Sequence, residues 1–342
     1  VSIVGGVCLI LFLAFLGFQD FQRLGIVPFD FGDQNNANTY IKHLSQIEAS
    51  GGLLYIREPT NPIIVVIDSK GDYVRTIGKA GEGPEELGAS SQSFGVDGPS
   101  LWTMNGNMKF AHYYENGEHA HRIRIENYNR FINATDASLP IAFSRDSVII
   151  PPLYRVDRSM AYVYGYDGEI KYKVPAPFNS EKELRKNPAV NETFWFREGD
   201  IWYCLFKHKP LLYVYDKTFR LQNQFELEGP EIADHAEALK DFERKKRWDI
   251  PPPYFTDAKV FKGKVYALCK GALYQIDPKQ GLVLQHTTFF LKIPEIDEYD
   301  LSEDVNVQLF YFALLENGTL VLGHPALMWG HDLWKVKLPY KL

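Results

Sequence analysis

From residue 51 onward the chain repeats one pattern: a turn residue, a short run of alternating apolar positions, a second run, then Asp or Asn-Gly. "GGLLYIREPTNPIIVVIDSKGDYVRTIG" begins at Gly51, "DGPSLWTMNGNMKFAHYYENGEHAHRIRI" at Asp97 and "RDSVIIPPLYRVDRSMAYVYGYDGEIKYKV" at Arg145. "EGDIWYCLFKHKPLLYVYDKTFRLQNQFEL" begins at Glu198, "KGKVYALCKGALYQIDPKQGLVLQHTTFFL" at Lys262 and "NGTLVLGHPALMWGHDLWKVKL" at Asn317. Alternation with a period of two marks half-buried strands. The first strands of the six units start near Leu53, Leu101, Val148, Ile201, Val265 and Leu320. Their spacing of about 47 to 64 residues suits propeller blades of four strands each. One such blade cannot bury both its faces, whereas blades stacked around an axis cover one another. The predicted fold is therefore all-β, a six-bladed β-propeller over residues 38–342. An N-terminal strand around residues 38 to 48 is expected to close the ring against the last blade. A two-sheet sandwich is the alternative, but it would not require six similar units.

Two segments break the strand pattern. "VSIVGGVCLILFLAFLGF" carries no charge, and eighteen residues at about 1.5 Å each give roughly 27 Å of helix, enough to cross a bilayer core. A cleaved signal peptide fits less well: the run exceeds the usual apolar region, and no small-x-small site follows it. Residues 1–18 read as an uncleaved transmembrane helix, with Val4, Leu9, Leu11, Phe12, Phe15 and Phe18 facing lipid. Ser2 and Gly6 form one small-xxx-small pair for helix packing. A polar linker over residues 19–37 follows. The second segment, Glu231 to Trp248, places Ile232, His235, Leu239 and Phe242 at helical spacing before Pro251, Pro252 and Pro253 end it. It reads as an insertion near 231–253, with a shorter one near 178–190. Its basic cluster Arg244, Lys245, Lys246 and Arg247 suits acidic lipid headgroups or an acidic partner.

Composition supports strands: 45% hydrophobic and 14% aromatic residues favour wide, half-buried surfaces. A net charge of −6 argues against general nucleic-acid binding, which needs a basic surface. Cys8, Cys204 and Cys269 are too few and too widely spaced for a disulfide framework or a zinc site. They read as buried thiols, with a Cys204–Cys269 bridge open to an exported protein.

The stretch "IGKAGEGPEEL" has three glycines in six positions and looks like a phosphate loop. Such a loop would run strand, glycine turn, Gly-Lys-Ser/Thr, helix. Here Lys79 precedes the later glycines, no Ser or Thr follows it, and Glu82, Glu85 and Glu86 would repel a phosphate. In context, "IIVVIDSKGDYVRTIGKAGEGPEEL" resembles a motif of bacterial six-bladed propellers related to the NHL-repeat group. The matching residues are Asp68, Gly71, Ile77, Gly78, Gly81, Gly83, Pro84 and Glu86, with Leu87 where that group has an aromatic. The resemblance is specific for one blade and implies a blade connector. Trp248-Asp249 is the only Trp-Asp pair and Gly51-Gly52 the only double glycine beyond residue 18, which argues against WD40 and kelch repeats.

Candidate chemistry is thin. His119 and His121 alternate along a strand near Glu115 and Glu118, and two imidazoles on one face could begin a metal site. No Gly-x-Ser-x-Gly elbow or His-Glu-x-x-His helix occurs. Some six-bladed propellers are calcium lactonases or lyases, but no such ligand set can be placed here residue by residue. The reading is a non-catalytic, membrane-anchored propeller on the extracytoplasmic (periplasmic) side, with no cofactor. It would serve as an accessory subunit of a larger membrane complex, photosynthetic or respiratory, with integral membrane proteins and the bilayer as partners. The alternative is an enzyme or solute-binding propeller that uses its central channel.

Overall fold

The computed structural model describes residues 20–28, 44–57, 62–88, 91–105, 109–125, 141–150, 159–178, 180, 189–244, 251–291, 311–323 and 333–337. The first strand, β1 (Asp20–Pro28), stands apart from the units that follow. β2 (Gln46–Ser50), β3 (Leu53–Arg57), β4 (Ile64–Asp68) and β5 (Tyr73–Ile77) form the first blade, antiparallel in that order. The second holds β6 (Ser91–Asp97), β7 (Ser100–Asn105), β8 (Phe110–Glu115) and β9 (Glu118–Arg124). The third holds β10 (Ala142–Phe143), β11 (Ser147–Ile150), β12 (Ser159–Gly165) and β13 (Ile170–Pro175). The fourth holds β14 (Thr193–Glu198), β15 (Ile201–Phe206), β16 (Leu211–Tyr215) and β17 (Leu221–Glu226). After helix α1 (Pro230–Arg244) comes the fifth, with β18 (Asp257–Phe261), β19 (Lys264–Cys269), β20 (Ala272–Asp277) and β21 (Leu282–Leu291). The sixth has only β22 (Tyr311–Leu314), β23 (Thr319–Gly323) and β24 (Leu333–Lys337) from its own part of the chain.

Its fourth strand is β1. That strand pairs antiparallel with β24, Val27 opposite Lys335 and Pro28 opposite Trp334. It also pairs in parallel with β21, from Asp20 opposite Gln285 to Ile26 opposite Leu291. The fifth and sixth blades thus share one eight-stranded sheet. Two boundaries move as a result. The strand expected to close the ring is instead, as β2, the innermost strand of the first blade. The closing strand lies within the stretch read as a linker. Phe21, Leu24, Ile26 and Val27 do not alternate, so the segment lacks the period of a half-buried strand. The six expected starts also fall on the second strand of each blade, because each unit is preceded by a short inner strand. These inner strands neighbour one another in succession, and β22 returns to β2. Six blades close the ring.

The core is six apolar interfaces, one between each pair of blades. Tyr55, Ile64 and Phe94 fill the first-to-second interface, and Trp102, Val148 and Tyr164 the next. Trp195 and Cys204 lie between the third and fourth blades, and Phe194, Leu205 and Tyr274 between the fourth and fifth. Tyr266 and Phe312 join the fifth to the sixth, and Ile47 and Val321 join the sixth to the first. A fully buried side chain of this kind contributes about 1.5–3 kcal/mol. Near the axis the inner strands come very close: a Cβ on Gly95 would lie 1.7 Å from the Ile141 carbonyl oxygen. Only glycine fits there.

Helix α1 covers the fourth-to-fifth interface at the end of the ring opposite the tight turns. Ile232 and His235 are buried and Leu239 packs on the same core, as their spacing predicts. The helix ends at Arg244. Lys245, Lys246 and Arg247 lie outside the described residues, as do residues 1–18 and most of the insertion near 178–190. Among the described residues no helix is long and apolar enough to cross a membrane.

The glycine-rich stretch joins β5 to β6 and closes on itself. Gly88 N–H donates to the Gly81 carbonyl at 2.8 Å and Gly81 N–H to the Gly88 carbonyl at 3.2 Å. Glu86 turns its carboxylate inward to accept the Gly83 N–H at 2.7 Å. A Cβ on Gly81 would meet that carboxylate at 1.9 Å, and φ there is +133°. Leu87 is fully buried, and Lys79 pairs with Glu85 at 3.4 Å on the surface. The site a phosphate would need holds Glu86. A hydrogen bond to a charged acceptor contributes about 1.5–3 kcal/mol. Glu86→Ala should therefore lower stability to urea by roughly that amount, whereas Lys79→Ala should leave the midpoint unchanged. An unchanged Glu86→Ala midpoint would show that the carboxylate does not hold the loop.

Candidate functional site

The inner strands surround a central channel of about 640 Å³. Its lining includes Glu48 and Lys259 deeper in, and Asp97, Arg145, Arg197 and Asp200 toward the turns between first and second strands. β2 and β18 carry polar side chains at alternating positions, Gln46 and Glu48 on one and Asp257 and Lys259 on the other, because an inner strand faces the axis on one edge and has little apolar cover there. Lys259 Nζ lies 2.6 Å from Glu48 Oε1 and 3.0 Å from Asp257 Oδ1. All three side chains are nearly buried, at 11%, 12% and 5% exposure. Gln46 Nε2 donates to Glu48 Oε1 at 3.0 Å and to the Phe94 carbonyl at 2.6 Å. Gln46 Oε1 accepts the Phe94 N–H at 3.1 Å. Asp257 accepts the Ala258 N–H at 2.8 Å on one oxygen and the Phe312 N–H at 3.0 Å on the other. One network therefore ties the first, second, fifth and sixth blades together.

Its electrostatics follow from two carboxylates sharing one ammonium. Burial pushes Asp257 up to about 7; Lys259 pulls it down, and Glu48 pushes it up again. Lys259 is held above its ordinary value despite burial, because both carboxylates favour its charge. A carboxyl titrating near neutrality can move a proton, but both oxygens of Asp257 already accept hydrogen bonds. At the mouth, Arg197 lies 3.9 Å from Asp200 with its guanidinium over Trp202. Sequence reasoning missed this set. Glu48 and Lys259 are 211 residues apart, and no motif spans them. The one local signal is a charge inside short strand-like runs such as "QIEAS" and "DAKVF".

The imidazoles expected to share a face do not. β9 carries a bulge: Tyr113 pairs with His121 and Tyr114 with His119, so Ala120 is extra. Tyr113 and Tyr114 point to opposite faces, and their partners follow them. His121 packs against Trp102, Tyr113 and Tyr166 on the side of the third blade. His119 faces the first blade, its Nε2 3.3 Å from Nδ1 of buried His112. Burial lowers all three, and His112 falls to about 4 with help from neighbouring His119 and Arg122. They are neutral packing groups at pH 7. Among the described residues no three His, Cys, Asp or Glu side chains are placed to hold a metal.

Two further polar clusters pin the connections. Glu231 at the start of α1 accepts from the Tyr274 hydroxyl at 2.5 Å and pairs with His286 at 2.7 Å. Buried Glu192 pairs with His208 at 3.4 Å and Lys207 at 3.5 Å. Cys204 and Cys269 are free and buried in different interfaces, and burial pushes Cys269 up to about 12.

The model of a family described as a six-bladed β-propeller matches residues 34–100, which hold the first blade and the Gly78–Gly88 connector. The chain is a six-bladed propeller. Among solved structures it is similar to a protein of Bacteroides fragilis described as exported, with 13% identity and a TM-score of 0.54 over 89% of this chain and 87% of that one. It is also similar to a streptogramin B lyase, with 12% identity and a TM-score of 0.51 over 91% and 96%. At such identities the likeness concerns the fold. No curated protein matches the sequence.

Removing the ammonium leaves two buried carboxylates without a counter-charge, a change that typically costs about 3–5 kcal/mol. Asp257 keeps its proton in the folded chain up to about pH 7, but releases it near 3.8 when unfolded. The folded state binds more protons between those values, so this group's contribution falls as pH rises through the window. Lys259→Met should therefore be strongly destabilised at pH 8 and much less so at pH 5. Equal losses at the two pH values, measured by chemical denaturation, would remove the carboxylates from the explanation.

Proposed function

We propose that this chain is a membrane-anchored propeller on the extracytoplasmic side that works by contact, as an accessory subunit of a larger membrane assembly. The observation that carries this reading is the use of charge in the channel. Lys259, Glu48 and Asp257 are bonded to one another and to backbone groups of neighbouring blades, so the ionic groups at the axis serve the ring. The ends and outer edges of the disc are left as working surfaces. The uncharged residues 1–18 supply the anchor, and the described export of the Bacteroides protein of similar fold agrees with an extracytoplasmic site. Helix α1 contributes one surface, and in the sequence its last residue opens the basic run Arg244, Lys245, Lys246 and Arg247.

The test is extraction in mild detergent followed by mass spectrometry and cross-linking of the co-purifying proteins. The protein should stay in carbonate-washed membranes and leave them with integral membrane partners. Reversing the charge of Arg244, Lys245, Lys246 and Arg247 should weaken that association, more so as salt rises and screens what attraction remains. A protein that purifies alone and turns over a small molecule in its channel would overturn the reading in favour of the enzyme.

A further inference from the structure

β1 begins at Asp20, two residues beyond the last apolar residue, Phe18. Asp20 is paired with Gln285, near the start of the outer strand of the fifth blade. Each residue advances at most about 3.3–3.6 Å, so the chain between the apolar run and that pair can span no more than about 7 Å. Whatever layer residues 1–18 enter, this corner of the ring stands at its surface.

The corner exposes apolar side chains, as the first blade does with Tyr73 at 40% and Val74 at 44%, and what sets it apart is the incoming chain at Asp20. Leu282 is 55% exposed, Leu284 38%, and Leu221, at the same end of the fourth blade's outer strand, 48%. Leu284 is the extra residue of the bulge in β21; the first blade places Val74 there, and the second, third and fourth place Ala120, Lys171 and Gln222. Exposed Lys217, Lys262 and Lys279 occupy turns at the same end of the fourth and fifth blades, with Lys217 4.0 Å from Asp200. At the same end the second and third blades carry Glu115, Glu118, Asp146, Asp167 and Glu169, with Arg145 among them. Exposed apolar side chains with lysines nearby suit the boundary between anionic headgroups and acyl chains.

We propose that the propeller rests on the bilayer through this corner, with Leu282 and Leu284 in the headgroup boundary and Lys217, Lys262 and Lys279 against lipid phosphates. The proposal rests on reading residues 1–18 as a membrane span. It turns the tight-turn end of the fourth and fifth blades toward the membrane. Helix α1 then lies at the far end of the ring, away from the bilayer.

The full chain with Cys8→Ser, carrying an environment-sensitive dye at Leu284→Cys, is reconstituted into phosphatidylcholine–phosphatidylglycerol vesicles. Cys204 and Cys269 are fully buried and do not compete for the label. Val74→Cys, the bulged residue of the first blade, is the reference. Spin-labelled lipid should quench the dye at 284 at least about threefold more than at 74, as for a side chain within the headgroup layer. Aqueous iodide should show the reverse order. If the protein resists carbonate but iodide reaches both positions equally, the docking proposal fails and the span stands. A dye at 284 shielded from lipid and iodide alike would mean that protein covers the corner, and also overturns it. Release by carbonate would defeat the span and the docking together.

Discussion

A blade of four strands has two apolar faces, and only a neighbour on each side keeps both from water. The whole ring therefore depends on closure, and here closure rests on one strand. β1 fills the open place beside β24 and occupies the outer edge of β21 as well. Both its edges are paired, so the seam between the chain's two ends presents no free strand for other chains to extend. Residues 20–28 must come back to residues 333–337 before the sixth blade can exist. The entropy of closing that long loop must be met before the contact stabilises the ring. The local hairpins of blades one to five supply the structure on which it is made.

A second rule works within the blades. Between the third and outer strands, five blades repeat a bulge at one register position, beside Val66, Tyr113, Val163, Val214 and Gln275. A bulge sharpens twist and lets the outer strand swing away from the axis, as a widening wedge requires. It also reassigns faces. Residues two apart around the bulge are sent to different neighbours, and the inserted residue faces outward. The separation of His119 from His121 and the exposure of Val74 and Leu284 have this single cause.

The six-fold recurrence was legible because second and third strands are buried on both faces and read as apolar runs, as in "LLYIR" and "IVVID". α1 was legible from Ile232, His235 and Leu239, because one covered face leaves a helical period. The inner strands were not. "QIEAS" and "AF" are short and face a polar axis, so burial leaves little pattern in them. β1 was hidden differently, since it sits between an apolar run and a polar one and alternates with neither. The candidate site was illegible for a stronger reason. Glu48, Asp257 and Lys259 become neighbours only after the ring closes, and no local spacing encodes that.

The channel network explains why charge is kept where apolar packing would be as stable. An inner strand pairs on one edge only, and its other edge faces the axis or the next blade with unpaired N–H and C=O groups. Gln46 answers this between the first and second blades by bonding both backbone groups of Phe94, as a neighbouring strand would. Asp257 does so between the fifth and sixth by accepting the Phe312 N–H. Both stand at the same end of their inner strands, one on each side of the seam, and Lys259 with Glu48 joins the two across it. Apolar residues there would fill the space but would not choose a register, since apolar contact has no direction. A buried ionic contact adds little net stability and penalises every misalignment heavily. At the one place where the ring is closed by a strand from the far end of the chain, that directional penalty fixes how the blades meet.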